Sequence, residues 1–255
     1  MSDKPTSEPA VTVNDKEETK ETHLLIEPSA LAAMIDHTSL KPEKTEAEIV
    51  RLCEEARFHS FATVCVNPIH VKLCVRELAG SSVRVCTVAG FPLGANMTSV
   101  KVNETQTAVN HGAKEVDMVI NIGALKAGEF FLVQREIADV ANHCHTGRAI
   151  CKVIIEACLL TEAEKRRACE LARDAGADFV KTSTGFSTGG ATVKDVVLMR
   201  SIVGTKLGIK AAGGIRSLAE ALSMIQAGAT RIGSSRSVEI MTEFNLSEQS
   251  EVKAS

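Results

Sequence analysis

Short apolar runs alternate with amphipathic stretches along most of this chain. The runs predict β-strands at residues 32–37, 61–66, 83–89, 115–121, 150–156, 178–183, 207–213 and 230–235. Two of the intervening helices begin with a capping box, at residues 45–48 and 161–164, ahead of apolar residues at helical spacing. Less sharply capped helices are predicted to begin near Pro68, Thr98, Lys126, Thr192 and Ser217.

Eight strands, each followed by a helix, predict an α/β fold, a parallel TIM (β/α)8 barrel. The alternative is an open, doubly wound sheet, but no GxGxxG follows the first strand. We expect a single barrel domain at residues 24–245. The polar, acidic arm at 1–23 and the tail at 246–255 are predicted to be disordered.

A weak internal repeat supports the barrel. Predicted helices end in Gly-Ala directly before a strand at Gly112, Gly176 and Gly228, and Gly147 has the same spacing to its strand. The fifth residue after each glycine then lies at one height in the repeated unit. The residues at that height are Asp117, Lys152, Lys181 and Gly233.

Charged residues inside the strands are the most informative feature of the sequence. Helices cover the outside of a barrel, so charges that interrupt apolar runs are predicted to face inward. A structural layer of salt bridges is the alternative, although barrel interiors are normally filled with branched aliphatic side chains. The interrupting residues are Asp36, Asp117, Lys152, Glu156, Lys181 and Lys210.

Two buried lysines close together have a chemical use, because one ammonium favours the free amine of its neighbour. A free lysine amine adds to a carbonyl and forms a Schiff base, and the protonated imine withdraws electrons from an adjacent C–C bond. This is the chemistry of an aldolase that needs no metal. A metal site at the sequence His143-Cys144-His145 is disfavoured, since three neighbours on a helix cannot face one ion.

Glycine-rich segments follow the last two strands. Residues 210–216 read KAAGGIR, and residues 233–235 read GSS. Loops at these two positions of a barrel recurrently bind phosphate through backbone N–H groups and a helix N-terminus. Each segment alone is also compatible with an ordinary tight turn, so the prediction depends on their joint placement.

Composition narrows the possible functions further. The net charge of −3 disfavours nucleic acid as a partner, and the sequence contains no apolar run long enough for a membrane span. The N-terminus lacks the apolar core of a signal peptide, and the eight cysteines form no CxxC pair. Free thiols in a reducing, cytoplasmic setting are therefore expected.

Six segments together resemble the 2-deoxyribose-5-phosphate aldolase family: DHT at 36–38, EVD at 115–117, KVIIE at 152–156, FVKTSTG at 179–185, IKAAGGIR at 209–216 and RIGSS at 231–235. The resemblance spans about residues 30–240, and the KTSTG and KAAGGIR segments are highly specific in combination. It implies reversible cleavage of 2-deoxyribose 5-phosphate to acetaldehyde and glyceraldehyde 3-phosphate. It also implies no metal or other cofactor, and it favours a homodimer.

The resemblance assigns roles to individual residues. Lys181 would form the Schiff base, Lys210 would favour the free amine of Lys181, and Asp117 would be an acid/base group working with a bound water. Asp36 and Lys152 would bind substrate hydroxyls. The other expected substrate-binding residues are Thr38, Cys65, Thr182, Gly185, Gly213, Gly214, Arg216, Gly233, Ser234 and Ser235. Cys65 is equally compatible with a core thiol.

Three departures from the family pattern bear on function. Phe186 follows KTSTG where some members carry a phosphate-binding lysine, and Arg236 stands where a small residue is common. The chain has no tyrosine, which some members use as a proton shuttle, so protons would move through Asp117, Lys210 and water. An aldolase for another phosphorylated sugar and a non-catalytic sugar-phosphate-binding barrel remain alternatives; the retention of both lysines argues against the second.

Overall fold

The computed structural model describes residues 26–254, so the predicted arm at 1–23 lies outside the described residues. Eight parallel strands pair in chain order, and β8 pairs with β1 to close a barrel. The predicted TIM barrel is confirmed, and the open sheet is excluded. The strands are β1 Ile35–Ser39, β2 Thr63–Val66, β3 Arg84–Ala89, β4 Glu115–Val119, β5 Ile150–Ile154, β6 Phe179–Lys181, β7 Gly208–Ala212 and β8 Arg231–Ser234.

Helices surround this barrel. They are α1 Pro28–Ala32, α2 Glu46–His59, α3 Val71–Glu77, α4 Thr98–Asn110, α5 Ile122–Lys126, α6 Phe130–Thr146, α7 Glu162–Asp174, α8 Val193–Val203, α9 Leu218–Gln226 and α10 Ser237–Ala254. The predicted helix start near Lys126 is wrong, because α5 ends there and α6 begins after Gly128, whose φ is +77°. Helix α10 continues through residues 246–254, which the sequence places in a disordered tail.

The structure contains the capping boxes and most of the helix-ending glycines that the sequence predicts. Both predicted capping boxes form, and Ser217 with Glu220 makes a third at the start of α9. Gly112, Gly176 and Gly228 have positive φ and end the preceding helices. At the fourth predicted repeat, Arg148 carries the positive φ in place of Gly147.

Alternation along the strands divides apolar from charged positions. Val116 and Met118 on β4 are fully buried in the main hydrophobic core, whereas Asp117 between them belongs to the charged interior. The same parity holds on β7, where Ile209 and Ala211 flank Lys210. The apolar core therefore lies between strands and helices, and the charged residues lie inside the barrel. No helix of the described residues is both long and apolar enough to cross a membrane.

Candidate active site

A cluster of seven charged side chains occupies the barrel interior. Strand pairing brings them together, since Asp117 is the register partner of Lys152, and Lys210 is the partner of both Lys181 and Arg231. Every member is at most 6% exposed. The cluster consists of the carboxylates of Asp36, Glu115 and Asp117 and the cations of Lys152, Lys181, Lys210 and Arg231.

Asp117 lies at the centre of the three lysines. Its Oδ1 accepts a hydrogen bond from Lys152 Nζ at 2.8 Å, and its Oδ2 accepts from Lys181 Nζ at 2.8 Å and from Lys210 Nζ at 2.7 Å. Burial alone would raise the pKa of this carboxyl, but the three ammonium groups hold its pKa well below the usual value. Asp117 is therefore ionised at neutral pH.

Asp36 and Glu115 form a second layer of ion pairs. Asp36 Oδ2 lies 2.5 Å from Lys210 Nζ, and Arg231 Nη1 donates to Asp36 Oδ1 at 2.5 Å and to Glu115 Oε2 at 2.9 Å. Burial lowers the pKa of Lys210, but the carboxylates of Asp117 and Asp36 outweigh it and raise that pKa above its ordinary value. Lys210 is thus held as an ammonium ion.

Lys181 is the cluster member with the fewest ionic contacts. Its Nζ pairs only with Asp117 among the described carboxylates, whereas Lys210 pairs with two and Lys152 with three. Lys181 also lines the open cavity above the cluster, as Lys210 does. The amine of Lys181 is therefore available to a molecule entering that cavity.

The cavity has a volume of about 730 Å³ and lies over one side of the barrel mouth. It is bounded by helix α2 and by the loops that follow β1, β6, β7 and β8. Ten of the residues predicted from sequence line it: Thr38, Lys181, Gly185, Lys210, Gly213, Gly214, Arg216, Gly233, Ser234 and Ser235. Phe186 also lines it and makes an edge-to-face contact with Phe91, their ring centroids 5.3 Å apart.

The glycine-rich loops after β6 and β7 pack directly on each other. A Cβ added to Gly213 would lie 3.1 Å from the Cα of Gly190 and 3.4 Å from that of Gly185. Gly190 is equally constrained, because a Cβ there would lie 2.1 Å from the carbonyl oxygen of Gly213. Bare backbone at these positions lets two loops converge beside the N-terminus of α9.

The structure places the other five predicted site residues below the cavity floor. Asp36, Asp117 and Lys152 are fully buried in the ion-pair cluster, which occupies their charged groups. Cys65 is fully buried beside Cys86, and Thr182 Oγ1 bonds the backbone of Ala212 in both directions. None of these five lines the cavity in the described structure.

Sequence reasoning does not single out Glu115 and Arg231 as members of the cluster. Each stands at the first position of its strand, next to a polar neighbour, where a charge is usually solvated. The alternation of side chains along a strand could reveal them. Glu115 is two residues before Asp117, and Arg231 is two residues before Gly233, so each points to the same side of its strand as that residue.

Two groups of side chains in the described structure have the composition of a metal site, Cys65 with Cys86 and Asp117, and Asp36 with Cys86 and Glu115. The carboxylates of both groups are already paired with Lys152, Lys210 or Arg231. Burial first, and the neighbouring thiol of Cys65 second, raise the pKa of Cys86 well above its ordinary value. The carboxylates of both groups therefore belong to the ion pairs of the charged cluster.

Known proteins resemble this chain in both sequence and structure. A family model described as DeoC/LacD family aldolase matches residues 30–237. A deoxyribose-phosphate aldolase from Geobacillus sp. (strain WCH70) is 60% identical over 211 residues, covering 83% of this chain and 94% of that protein. One from Clostridium tetani is 56% identical over 209 residues, covering 82% and 96%. A structure described as a tetrameric deoxyribose phosphate aldolase from Aeropyrum pernix superposes with a TM-score of 0.81 at 34% identity, covering 86% of this chain and 92% of that one.

Proposed function

The chain belongs to the DeoC/LacD aldolase family, and from this premise we propose that it reversibly cleaves 2-deoxy-D-ribose 5-phosphate to acetaldehyde and D-glyceraldehyde 3-phosphate. The reaction makes it a lyase that works through a lysine Schiff base. The observation that carries the proposal is the amine of Lys181, which lines the cavity and pairs with fewer carboxylates than any other cation of the buried cluster.

The charge balance of the cluster supports Lys181 as the nucleophile. Four buried cationic side chains meet three carboxylates, and the partly exposed Arg84 also pairs with Glu115, so full ionisation leaves one positive charge in excess among the buried groups. Loss of one lysine proton removes this excess, and a buried uncompensated charge is costly. Lys181 has the fewest carboxylate contacts to lose, and it faces the cavity.

The proposed reaction begins when Lys181 Nζ attacks C1 of the open-chain sugar. Loss of water gives a protonated imine, which withdraws electrons from the C2–C3 bond as a water molecule in the cavity takes the C3 hydroxyl proton, which is later returned to C2. Cleavage of that bond releases glyceraldehyde 3-phosphate and leaves an enamine. Protonation at C2 followed by hydrolysis releases acetaldehyde and regenerates Lys181. The imine is the electron sink, so the scheme contains no metal step.

The contacts of Asp117 and Lys210 support a different role for each residue. Asp117 is held ionised beneath the cavity floor, so we assign it the task of orienting Lys181 and Lys210. Lys210 faces the cavity and carries a proton, so it is the group placed to exchange protons with the substrate through water. This differs from the role that the resemblance implies for Asp117, which is that of an acid/base group working with a bound water.

The phosphate is proposed to bind at the opposite end of the cavity. Gly213, Gly214, Arg216, Ser234 and Ser235 all line the cavity, and Ser234 Oγ joins the two loops by donating to Ile215 O at 2.7 Å. Arg216 is exposed, which suits a cation that meets an incoming anion. Position 186 supplies no cation, because it holds Phe186, whose ring packs edge-to-face on Phe91.

Borohydride trapping tests the nucleophile directly. Wild-type protein incubated with deoxyribose 5-phosphate and borohydride should gain a stable adduct on Lys181, identified by peptide mass mapping. Lys181→Met should lose both trapping and cleavage while keeping its circular dichroism spectrum, because Met fills the volume without supplying an amine. Trapping and turnover should both survive prolonged treatment with EDTA.

Each contrary result has a defined meaning. An adduct on Lys210 or Lys152 would refute the assignment of Lys181. Loss of activity in EDTA with recovery on adding zinc would refute the metal-independent mechanism. Trapping with acetaldehyde but no cleavage of deoxyribose 5-phosphate would identify an aldolase for another phosphorylated sugar.

We further infer a cytoplasmic homodimer. The location is supported by the seven buried and one exposed free cysteines, which suit a reducing compartment. The dimer comes from family resemblance, whereas the Aeropyrum pernix relative is described as tetrameric. Sedimentation velocity distinguishes the two states, and a tetramer peak would refute the dimer.

A further inference from the structure

Glu156 is a buried carboxylate that the charged cluster does not use. It follows β5 by two residues and is 2% exposed. Its Oε2 accepts a hydrogen bond from Thr184 Oγ1 at 2.5 Å, and both of its oxygens accept from Thr184 N at 3.3 Å. Cys158 Sγ lies 3.8 Å from Oε1. These donors are all uncharged, so Glu156 acts as a hydrogen-bond acceptor that holds the loop after β6.

The backbone at Glu156 is strained in a way that directs its side chain. Its φ of 51° and ψ of 63° are left-handed, which is unfavourable for a residue with a Cβ. Hydrogen bonds on both sides fix this conformation: Ile155 N donates to Lys181 O at 3.0 Å, and Ala157 N donates to Thr182 O at 2.8 Å. Such strain persists only where the surroundings enforce it, and it clusters at functional sites.

Thr184 connects Glu156 to the wall of the cavity through hydrogen bonds. Its Oγ1 accepts a hydrogen bond from Phe186 N at 3.1 Å, and residues 184–186 all line the cavity. Gly185 then packs against Gly213 of the loop after β7, and Ala191 N donates to Gly213 O at 3.0 Å. A continuous set of contacts therefore runs from Glu156 to the loops at the proposed phosphate end.

We propose that Glu156 is a positioning residue for phosphate recognition. It fixes the loop after β6, against which the loop after β7 rests, so that both present their backbone N–H groups to the anion. Glu156 does not itself line the cavity, so its effect passes through Thr184. The proposal rests on the phosphate end assigned above and adds the residue that holds it in place.

A carboxylate is required because every partner of the side chain is a donor. Glutamine at this position would turn an NH₂ group towards Thr184 N or Cys158 Sγ, and one contact would become donor against donor. The loop should then shift, although the volume of the side chain is kept. Glycine would remove the acceptor and also relieve the left-handed strain, so Glu156→Gly separates loop positioning from fold stability.

The test compares Glu156→Gln and Glu156→Gly with Asp178→Asn. Asp178 is a matched control, because its carboxylate accepts from Cys151 N at 2.8 Å at the start of β5, and neither residue lines the cavity. For each protein, kcat/KM is measured with deoxyribose 5-phosphate and with unphosphorylated deoxyribose. Binding of inorganic phosphate is measured separately by calorimetry, with circular dichroism as the check on folding.

Both Glu156 variants should lose about tenfold in the preference for phosphorylated over unphosphorylated sugar, and about tenfold in phosphate affinity. Asp178→Asn should leave both quantities near wild type. Equal losses on the two sugars, or unchanged phosphate affinity in folded Glu156 variants, would refute the positioning role. If wild type cleaves neither sugar, the proposed reaction fails, and the phosphate titrations still decide the role of Glu156.

Discussion

At the scale of single residues, the chemistry depends on how Asp117 is shared. Its Oδ2 accepts from both Lys181 and Lys210, so each lysine competes for the same negative charge. We therefore expect a change at either Lys210 or Asp117 to alter the pH dependence of imine trapping at Lys181. The two changes should act in opposite directions, which makes them a sensitive pair.

Lys210→Leu removes a neighbouring positive charge and leaves Oδ2 of Asp117 to Lys181 alone. Both effects favour the ammonium form of Lys181, so the pH profile of acetaldehyde trapping should move to more alkaline pH. Turnover should recover only in part at high pH, because the proton carrier is also lost. The profile is followed by borohydride trapping at a series of pH values.

Asp117→Asn should move the same profile towards acidic pH, since the lysines then surround a neutral amide. Trapping should persist while turnover collapses, because the lysines lose their common anchor. An unmoved trapping profile in both folded variants would contradict the shared-carboxylate argument, even if the protein is an aldolase.

Much of this site could be predicted from the alternation of inward and outward positions along each strand. Asp117, Lys181 and Lys210 each interrupt an apolar run at an inward position, and the structure places them together. The sequence could not show that Asp36 and Lys152 are buried in ion pairs and do not line the cavity, because it does not show which inward charges pair with each other. Nor could it show Glu156 bonding to uncharged donors, since that depends on the path of the loop after β6.

At the scale of elements, β2 to β8 lie within the predicted runs but are shorter. The prediction for β1 is wrong at both ends, because Ala32 belongs to α1 and the strand reaches Ser39 instead of residue 37. Strand β6 ends at Lys181, although the predicted run reaches residue 183. Thr182 N still donates to Lys210 O of β7, and the hydroxyl of Thr182 bonds the backbone of Ala212 where the loop begins. Helix α6 lacks a capping side chain at Glu129, so its start carries no local signal. Boundaries of this kind depend on tertiary contacts, which periodicity does not encode.

Gly208 provides a test of packing between β6 and β7. A Cβ at this position would lie 2.1 Å from the Phe179 ring, which itself lies under the guanidinium of Arg231. Gly208→Ala should therefore cost about 1–3 kcal/mol of stability and lower the melting temperature by several degrees. Thermal denaturation followed by circular dichroism measures this loss.

Gly123→Ala is the matched control for that substitution. Its new Cβ would meet only Asn121 Oδ1 at an ordinary 3.6 Å, and Gly123 lies within helix α5. Stability should be kept or slightly raised, because alanine is the better helix former. A melting temperature for Gly208→Ala equal to that of wild type would show that Phe179 moves aside freely.

At the scale of the whole molecule, barrel closure produces the buried charge cluster. Pairing of β8 with β1 places Asp36 beside Gly233, and Arg231 then reaches both Asp36 and Glu115 across the interior. The strand count predicts closure, but the resulting cross-barrel pairs are not visible in any single segment. The cluster thus links the stability of the barrel to the chemistry at its mouth.

This link predicts a specific pH dependence of stability. Burial would raise the pKa of Asp36, but Lys210, Lys152 and Arg231 hold that pKa below its ordinary value. Its contribution to stability is therefore present above about pH 4, the pKa of an unfolded Asp, and is lost as the pH falls further. The pKa of Lys210 is raised, so its contribution is complete below about pH 10 and is lost only at higher pH. Wild-type melting temperature, measured by differential scanning fluorimetry, should therefore be nearly constant between about pH 6 and 9 and fall in acid.

Asp36→Asn leaves Lys210 and Arg231 short of a partner and should cost about 3–5 kcal/mol at neutral pH, with a weaker acid dependence. Asp174→Asn makes the same chemical change at an exposed ion pair with Arg173 and should change little. Equal melting curves for the two variants would show that the buried cluster contributes no more to barrel stability than a surface pair.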